Sequence, residues 1–160
     1  MNKIIGILGM QGAIAEHQEI LLQIPHTKTR IVKTAKDLDC IDGLILPGGE
    51  STAIGKLLDY FSLKEILRQK IISGLPVFGT CAGLILLAKN IENQTNTHLA
   101  TMDITVKRNG YGSQLDSFST NLLIPTIDKN MPIPLVFIRA PYITKTGKDV
   151  QILATLDNKS

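Results

Sequence analysis

The stretch Val77-Phe78-Gly79-Thr80-Cys81-Ala82-Gly83-Leu84 decides how this chain is read. An apolar run over 75–78 ends in Gly-Thr-Cys-Ala-Gly, and a second apolar run over 84–88 follows at once. The pattern predicts a strand, a sharp turn and a helix, with Cys81 at the apex. Gly-x-nucleophile-x-Gly is the layout of a nucleophile elbow, here with sulfur in place of a hydroxyl oxygen. Such a turn brings backbone against backbone, and a Cβ at either glycine position would clash. A buried structural cysteine is the other reading, because free cysteine is among the most buried residue types. The stretch alone leaves both open.

Upstream, two more glycine turns follow apolar strand-like runs. Residues 3–8 predict a buried first strand, and Gly9-Met10-Gln11-Gly12 its turn. Residues 13–24 predict an amphipathic helix stopped by Pro25. A short strand over 29–33 comes next, then a helical turn with Thr34 as N-cap. Residues 43–46, Gly-Leu-Ile-Leu, predict a third strand, running into Pro47-Gly48-Gly49-Glu50-Ser51-Thr52. Ser62-Leu63-Lys64-Glu65 is a capping-box pattern for a helix reaching Ser73, with Gly74 as its stop. Strands and helices thus alternate as far as Cys81. That order predicts an α/β fold of three layers, a mostly parallel sheet with helices on both faces. In such sheets ligands bind at the carboxyl ends of the strands, where all three glycine turns fall.

The second half reads differently. Residues 90–98 are polar and loop-like, and Met102–Lys107 alternates as a strand. Arg108-Asn109-Gly110-Tyr111-Gly112 is a turn. Further strands are expected over 115–124, 135–138 and 150–156, with a Pro-containing loop over 128–134 and a break at Arg139-Ala140-Pro141.

Composition narrows the class. A chain of 160 residues with net charge +3 suffices for one domain with a sizeable core. Its basic residues are scattered, which speaks for a solvated surface and not for nucleic-acid binding. The two cysteines, Cys40 and Cys81, are far apart and in no metal-ligand pattern. A reducing compartment is the default expectation. The apolar N-terminal strand has no signal-peptide layout, and no apolar run is long enough to cross a bilayer. A cytoplasmic protein without membrane contact is expected.

Several stretches together resemble the class I glutamine amidotransferases, a flavodoxin-like family. They are Gly6-Ile-Leu-Gly-Met-Gln-Gly12 with Glu16-His17, Leu46-Pro-Gly-Gly-Glu-Ser-Thr52, Phe78-Gly-Thr-Cys-Ala-Gly-Leu-Ile-Leu-Leu-Ala88, Met102-Asp-Ile-Thr-Val-Lys-Arg-Asn109, Gln114-Leu-Asp-Ser-Phe118 and Phe137-Ile-Arg-Ala-Pro141. The Gly83-Leu-Ile-Leu86 stretch is similar to the vitamin B6 branch, the glutaminase subunits of pyridoxal 5'-phosphate synthases. The resemblance implies that Cys81 attacks the side-chain amide of L-glutamine, releases ammonia and forms a glutamyl thioester. It implies oxyanion donors at the backbone N–H groups of Gly49 and Ala82. Gly49, Glu50, Ser51, Arg108, Ile138 and Arg139 would hold the substrate, the arginines gripping its α-carboxylate. Solvated surface for Glu50, a surface salt bridge for each arginine and a plain N-cap for Ser51 are the competing readings. Gln11 would swing its amide toward the oxyanion region when a synthase (lyase) subunit docks in a hetero-oligomeric complex. No cofactor and no metal are implied. The histidines read as bland: His17 on a helix, His26 after a proline, His98 in a polar loop.

One departure stands out. A thiol nucleophile of this kind uses a histidine base oriented by a carboxylate. The family carries both in a His-Pro-Glu segment after the strand matching 151–155. Here Leu156-Asp157-Asn158-Lys159-Ser160 follows instead, and the last histidine is His98. The expectation is one amidotransferase domain over 1–160, without that segment and the helix after it. Its turnover would be impaired, or it would act as a non-catalytic glutamine- or partner-binding subunit.

Overall fold

The computed structural model describes residues 2–108 and 117–156. Four parallel strands form the main sheet in the order β2-β1-β3-β4: β1 Lys3–Leu8, β2 Thr27–Val32, β3 Gly43–Leu46 and β4 Val77–Gly79. From β1 the chain passes through helix α1 (Ile14–Leu22) to β2 on one side. A 3-10 turn, Ala35–Leu38, then leads it back past β1 to β3. Helices α2 (Ser51–Tyr60) and α3 (Lys64–Ile72) carry it onward to β4. Strand order therefore reverses between β1 and β3. With right-handed crossovers, α1 and the α2–α3 pair fall on opposite faces. A crevice at the carboxyl ends of β1 and β3 is the geometric consequence.

Alternation along the strands divides the core. Leu8, Leu44 and Leu46 pack with Ile54, Leu58, Leu63 and Leu67 of the α2–α3 region and with Leu86 of α4 (Ala82–Leu87). Ile7 and Ile45, one position out of phase, are buried on the other face. Leu46 pairs with Gly79 in register, so the chains leaving β3 and β4 emerge side by side.

Beyond α4 a second sheet forms. Strand β5 (Ala88–Ile91) pairs in parallel with β6 (Met102–Lys107), and β6 pairs antiparallel with β9 (Tyr142–Thr146). Strands β7 (Phe118–Leu122) and β8 (Ile133–Phe137) make an antiparallel pair whose Phe118 and Phe137 rings stack at 4.8 Å. The turn expected over 108–112 and the start of the strand expected at 115 lie outside the described residues, Arg108 excepted.

Three expectations need correction. Residues 150–156 do not form a strand; only Leu156 makes a bridge. The place beside β6 goes instead to Tyr142–Thr146, whose Ile143 packs into the second core with Ile104 and Val106. Ser62 does not cap α3. Its backbone is left-handed (φ 54°), and the Ser62 and Leu63 N–H groups donate to the Asp59 and Leu58 carbonyls at 3.0 and 2.8 Å. Ser62 therefore closes the end of α2, and Leu63 is drawn into the core. Finally, the segment read as a loop from residue 90 is still strand β5 as far as Ile91.

Candidate active site

The turns after β1, β3 and β4 meet at the predicted crevice. The Ala13 N–H donates to the Gly48 carbonyl at 2.9 Å. Gly12 has φ +110°, and a Cβ there would overlap the Gly48 carbonyl oxygen, so glycine is required on both counts. The Gln11 carboxamide lies on Gly49, and its Oε1 accepts the Glu50 N–H at 2.9 Å. From the other side, a Cβ placed on Gly48 would come within 3.4 Å of the Cys81 Cβ.

Cys81 stands at the apex of a strained turn, with φ 49° and ψ −103°. A non-glycine residue in such a region costs on the order of 1–3 kcal/mol and persists only where its surroundings enforce it. Here the Thr80 N–H donates to the Leu46 carbonyl at 3.1 Å and the Gly83 N–H to the Thr80 carbonyl at 2.8 Å. Cys81 is free and exposed. The buried-cysteine reading is thereby set aside. Ala82 follows as the first residue of α4, buried, with an N–H that has no acceptor within the helix.

Gly49, Glu50, Ser51, Cys81, Arg108, Ile138 and Arg139 line one cavity of about 170 Å³, together with Ile85 and Pro141. Pockets for drug-sized ligands run to roughly 300–1,000 Å³, so this one suits a small metabolite. Gln11 and Ala82 are not in its lining; Gln11 lies against Gly49, and Ala82 directly follows Cys81. Cys81 and the Glu50–Arg108 pair both face this cavity, bringing a nucleophile and opposite charges to one small space.

The sequence leaves substrate contact and solvated surface open for Glu50. It is the N-cap of α2, accepting the Thr52 and Ala53 N–H groups at 3.0 and 2.7 Å. Ser51 is not the cap; it is the first helical residue, buried, and its Oγ has no hydrogen-bond partner among the described residues. Arg108 donates to Glu50 at 2.9 Å and to the Thr52 hydroxyl at 3.2 Å. Burial alone would push the Glu50 carboxyl up, but the bonds from Thr52, Ala53 and Arg108 outweigh it and hold the group below the usual carboxylate range. Arg139, at the end of the β8 segment, also has a left-handed backbone (φ 45°).

Sequence reasoning missed one neighbour of the elbow. His17 Nε2 lies 3.3 Å from the Thr80 Oγ1, across a separation of 63 positions. The only available signal was that a helix starting at the first glycine turn must begin near the third. No group of three or more His, Cys, Asp or Glu residues arranged to hold a metal occurs among the described residues.

Residues 7–159 match the SNO glutamine amidotransferase family. A protein of Ruminiclostridium cellulolyticum named pyridoxal 5'-phosphate synthase subunit PdxT is 51% identical over 155 residues, covering 97% of this chain and 82% of that one. Its namesake in Clostridium botulinum is 54% identical over 149 residues, covering 93% of this chain and 77% of the relative. A crystal structure of a glutamine amidotransferase superposes with a TM-score of 0.86 at 37% identity, covering 97% of this chain and 81% of the other.

Proposed function

The chain belongs to the SNO glutamine amidotransferase family, and from that premise we propose how its cavity works on L-glutamine. The protein is a glutamine amidotransferase of pyridoxal 5'-phosphate (vitamin B6) synthesis. In the proposed mechanism the α-carboxylate of L-glutamine is held by Arg108 and Arg139, as bidentate guanidinium groups suit. Glu50 takes the α-ammonium, Ser51 and Ile138 fix the backbone end, and the side-chain amide points at Cys81. The Cys81 sulfur attacks the amide carbon. The oxyanion that forms is met by the N–H groups of Gly49 and Ala82. Ammonia leaves with the proton given up by the thiol, and a glutamyl thioester remains. Water cleaves it to glutamate and regenerates the thiol.

The observation that carries this reading is the cavity itself. Seven residues drawn from four separate stretches line one small space around an exposed, strained cysteine. Gln11, whose carboxamide lies on Gly49, is suited to adjust the oxyanion region. We further propose that the ammonia passes to a synthase (lyase) subunit in a hetero-oligomeric complex. Residues 1–160 act in it as one amidotransferase domain, in the cytoplasm, where free thiols stay reduced.

The test is ammonia release from L-glutamine, measured with and without a synthase subunit. The reading expects weak release that depends on Cys81 and vanishes in Cys81→Ala. Release unchanged in that variant would overturn it.

A further inference from the structure

We propose that His17 is a positioning residue for the Cys81 elbow, acting through the Thr80 hydroxyl; the inference rests on the glutaminase reading of the cavity. His17 lies in the first turn of α1, directly after the Gly9–Gly12 turn. Its Nδ1 is 2.6 Å from the Ala13 carbonyl oxygen. A carbonyl only accepts, so Nδ1 carries the proton, and Nε2 of the neutral ring is left as an acceptor. Thr80 Oγ1, 3.3 Å away, is therefore the donor.

Thr80 immediately precedes the strained residue. Its backbone is tied to β3 through Leu46 and to α4 through Gly83. The imidazole adds a third tie, to α1, and uses the side chain. Ala13 is at the other end of the same link. Its carbonyl holds the His17 ring, while its N–H holds the Gly48 carbonyl of the loop facing Cys81. The chain Thr80–His17–Ala13–Gly48 thus spans from the nucleophile's turn to the loop that carries Gly49. It sets the distance between the sulfur and one of the two proposed oxyanion donors. Misplacing reacting groups by about 1 Å can cost on the order of 100-fold in rate. Neither His17 nor Thr80 lines the cavity, so the role is positioning and not contact with substrate.

The experiment follows inactivation of the full chain by 6-diazo-5-oxo-L-norleucine, an electrophilic glutamine analogue, beside alkylation by iodoacetamide. His17→Ala, Thr80→Val, the double variant and Thr80→Ser are compared with the parent. The maximal inactivation rate is expected to fall about tenfold in His17→Ala and in Thr80→Val, with the half-saturating concentration within about twofold. The double variant should be no slower than either single one, because both changes cut one link. Thr80→Ser, which keeps the hydroxyl, should match the parent. Iodoacetamide, which needs no oxyanion alignment, should react at nearly unchanged rates. Additive losses in the double variant, a parallel fall with iodoacetamide, or a parent-like Thr80→Val would overturn the proposal. A parent that the analogue does not label would instead strike at the glutamine reading. The link is then still read from the 15N spectrum of the His17 imidazole. An Nδ1-protonated ring whose Nε2 signal moves in Thr80→Val supports it, and an Nε2-protonated ring contradicts it.

Discussion

Arg108 Nη2 lies 2.9 Å from Glu50 Oε1, although 58 positions separate the two residues. The contact joins the end of β6 to the N-terminus of α2 and places both charges on the cavity wall. Glu50 serves two partners at once, the α2 N–H groups and the guanidinium, so its carboxylate has a fixed direction before any ligand arrives. Hydrogen bonds to charged groups are worth about 1.5–3 kcal/mol, and each 1.4 kcal/mol is about tenfold in affinity. Glu50→Gln and Arg108→Met are each expected to raise KM for L-glutamine by about 10–100-fold. Steady-state ammonia release checks this. A change confined to kcat would assign the pair to the chemical step.

Ser51 gives the opposite pattern of stability and affinity. Its hydroxyl is buried beside the cavity without a hydrogen-bond partner among the described residues. Removing an unsatisfied buried hydroxyl costs the fold little. Ser51→Ala is therefore expected to leave Tm unchanged or slightly raised while weakening L-glutamine binding by roughly tenfold, the scale of one hydrogen bond. Thermal melts with and without L-glutamine read both quantities together.

Backbone contact, not flexibility, explains Gly83. A Cβ there would overlap the Leu46 carbonyl oxygen, which also accepts the Thr80 N–H. Overpacking of this kind costs about 1–3 kcal/mol. Gly83→Ala should lower Tm by several degrees and slow the reaction at Cys81, since α4 must move away from β3. Gly43→Ala is the control: its new Cβ would meet nothing closer than 3.6 Å. Its Tm should change by no more than a degree or two.

Acid should destabilise the fold in two stages. Burial, then the Lys64 and Arg108 charges, holds His98 below the usual imidazole range, with Asp59 and Glu50 pulling the other way. A group depressed in the fold contributes stability that is complete above its unfolded value, about 6.5 for histidine, and is lost as pH falls toward the folded value. The carboxylates follow lower down. Asp42 is held below its usual range by the Lys3 ammonium and the Ile4 N–H. Asp37 is held down by the Lys33 N–H, the Thr34 hydroxyl and the Thr34 N–H. Their contributions are complete above about pH 4 and fade below it. Tm measured against pH should bend first below about 6.5 and again below about 4. His98→Gln should remove the first bend and leave the second.

Much of the site was legible because its signals are local. Each glycine turn follows an apolar strand within a few residues, and parallel strands present such turns at one edge. That placed Cys81, Gly49, Glu50 and Ser51 near one another before any coordinates. What was illegible depended on competition between distant segments. Residues 150–156 read as the last strand, yet Tyr142–Thr146, for which no strand is expected from the sequence, takes the place beside β6 because Ile143 packs there. Ser62 had the spacing of a cap, but burying Leu63 requires the backbone turn that makes Ser62 the end of α2. Nothing local to His17 points to Thr80, which belongs to another turn.

The most direct test of the account uses the two free cysteines, both exposed, as target and control. The protein is treated with 6-diazo-5-oxo-L-norleucine in the presence of L-glutamine, of D-glutamine or of neither, and the modified peptides are identified by mass spectrometry. The account predicts one adduct, on Cys81, suppressed by L-glutamine and not by its enantiomer, with Cys40 untouched. Equal labelling of Cys40 and Cys81, or labelling of Cys81 that L-glutamine does not suppress, would contradict it.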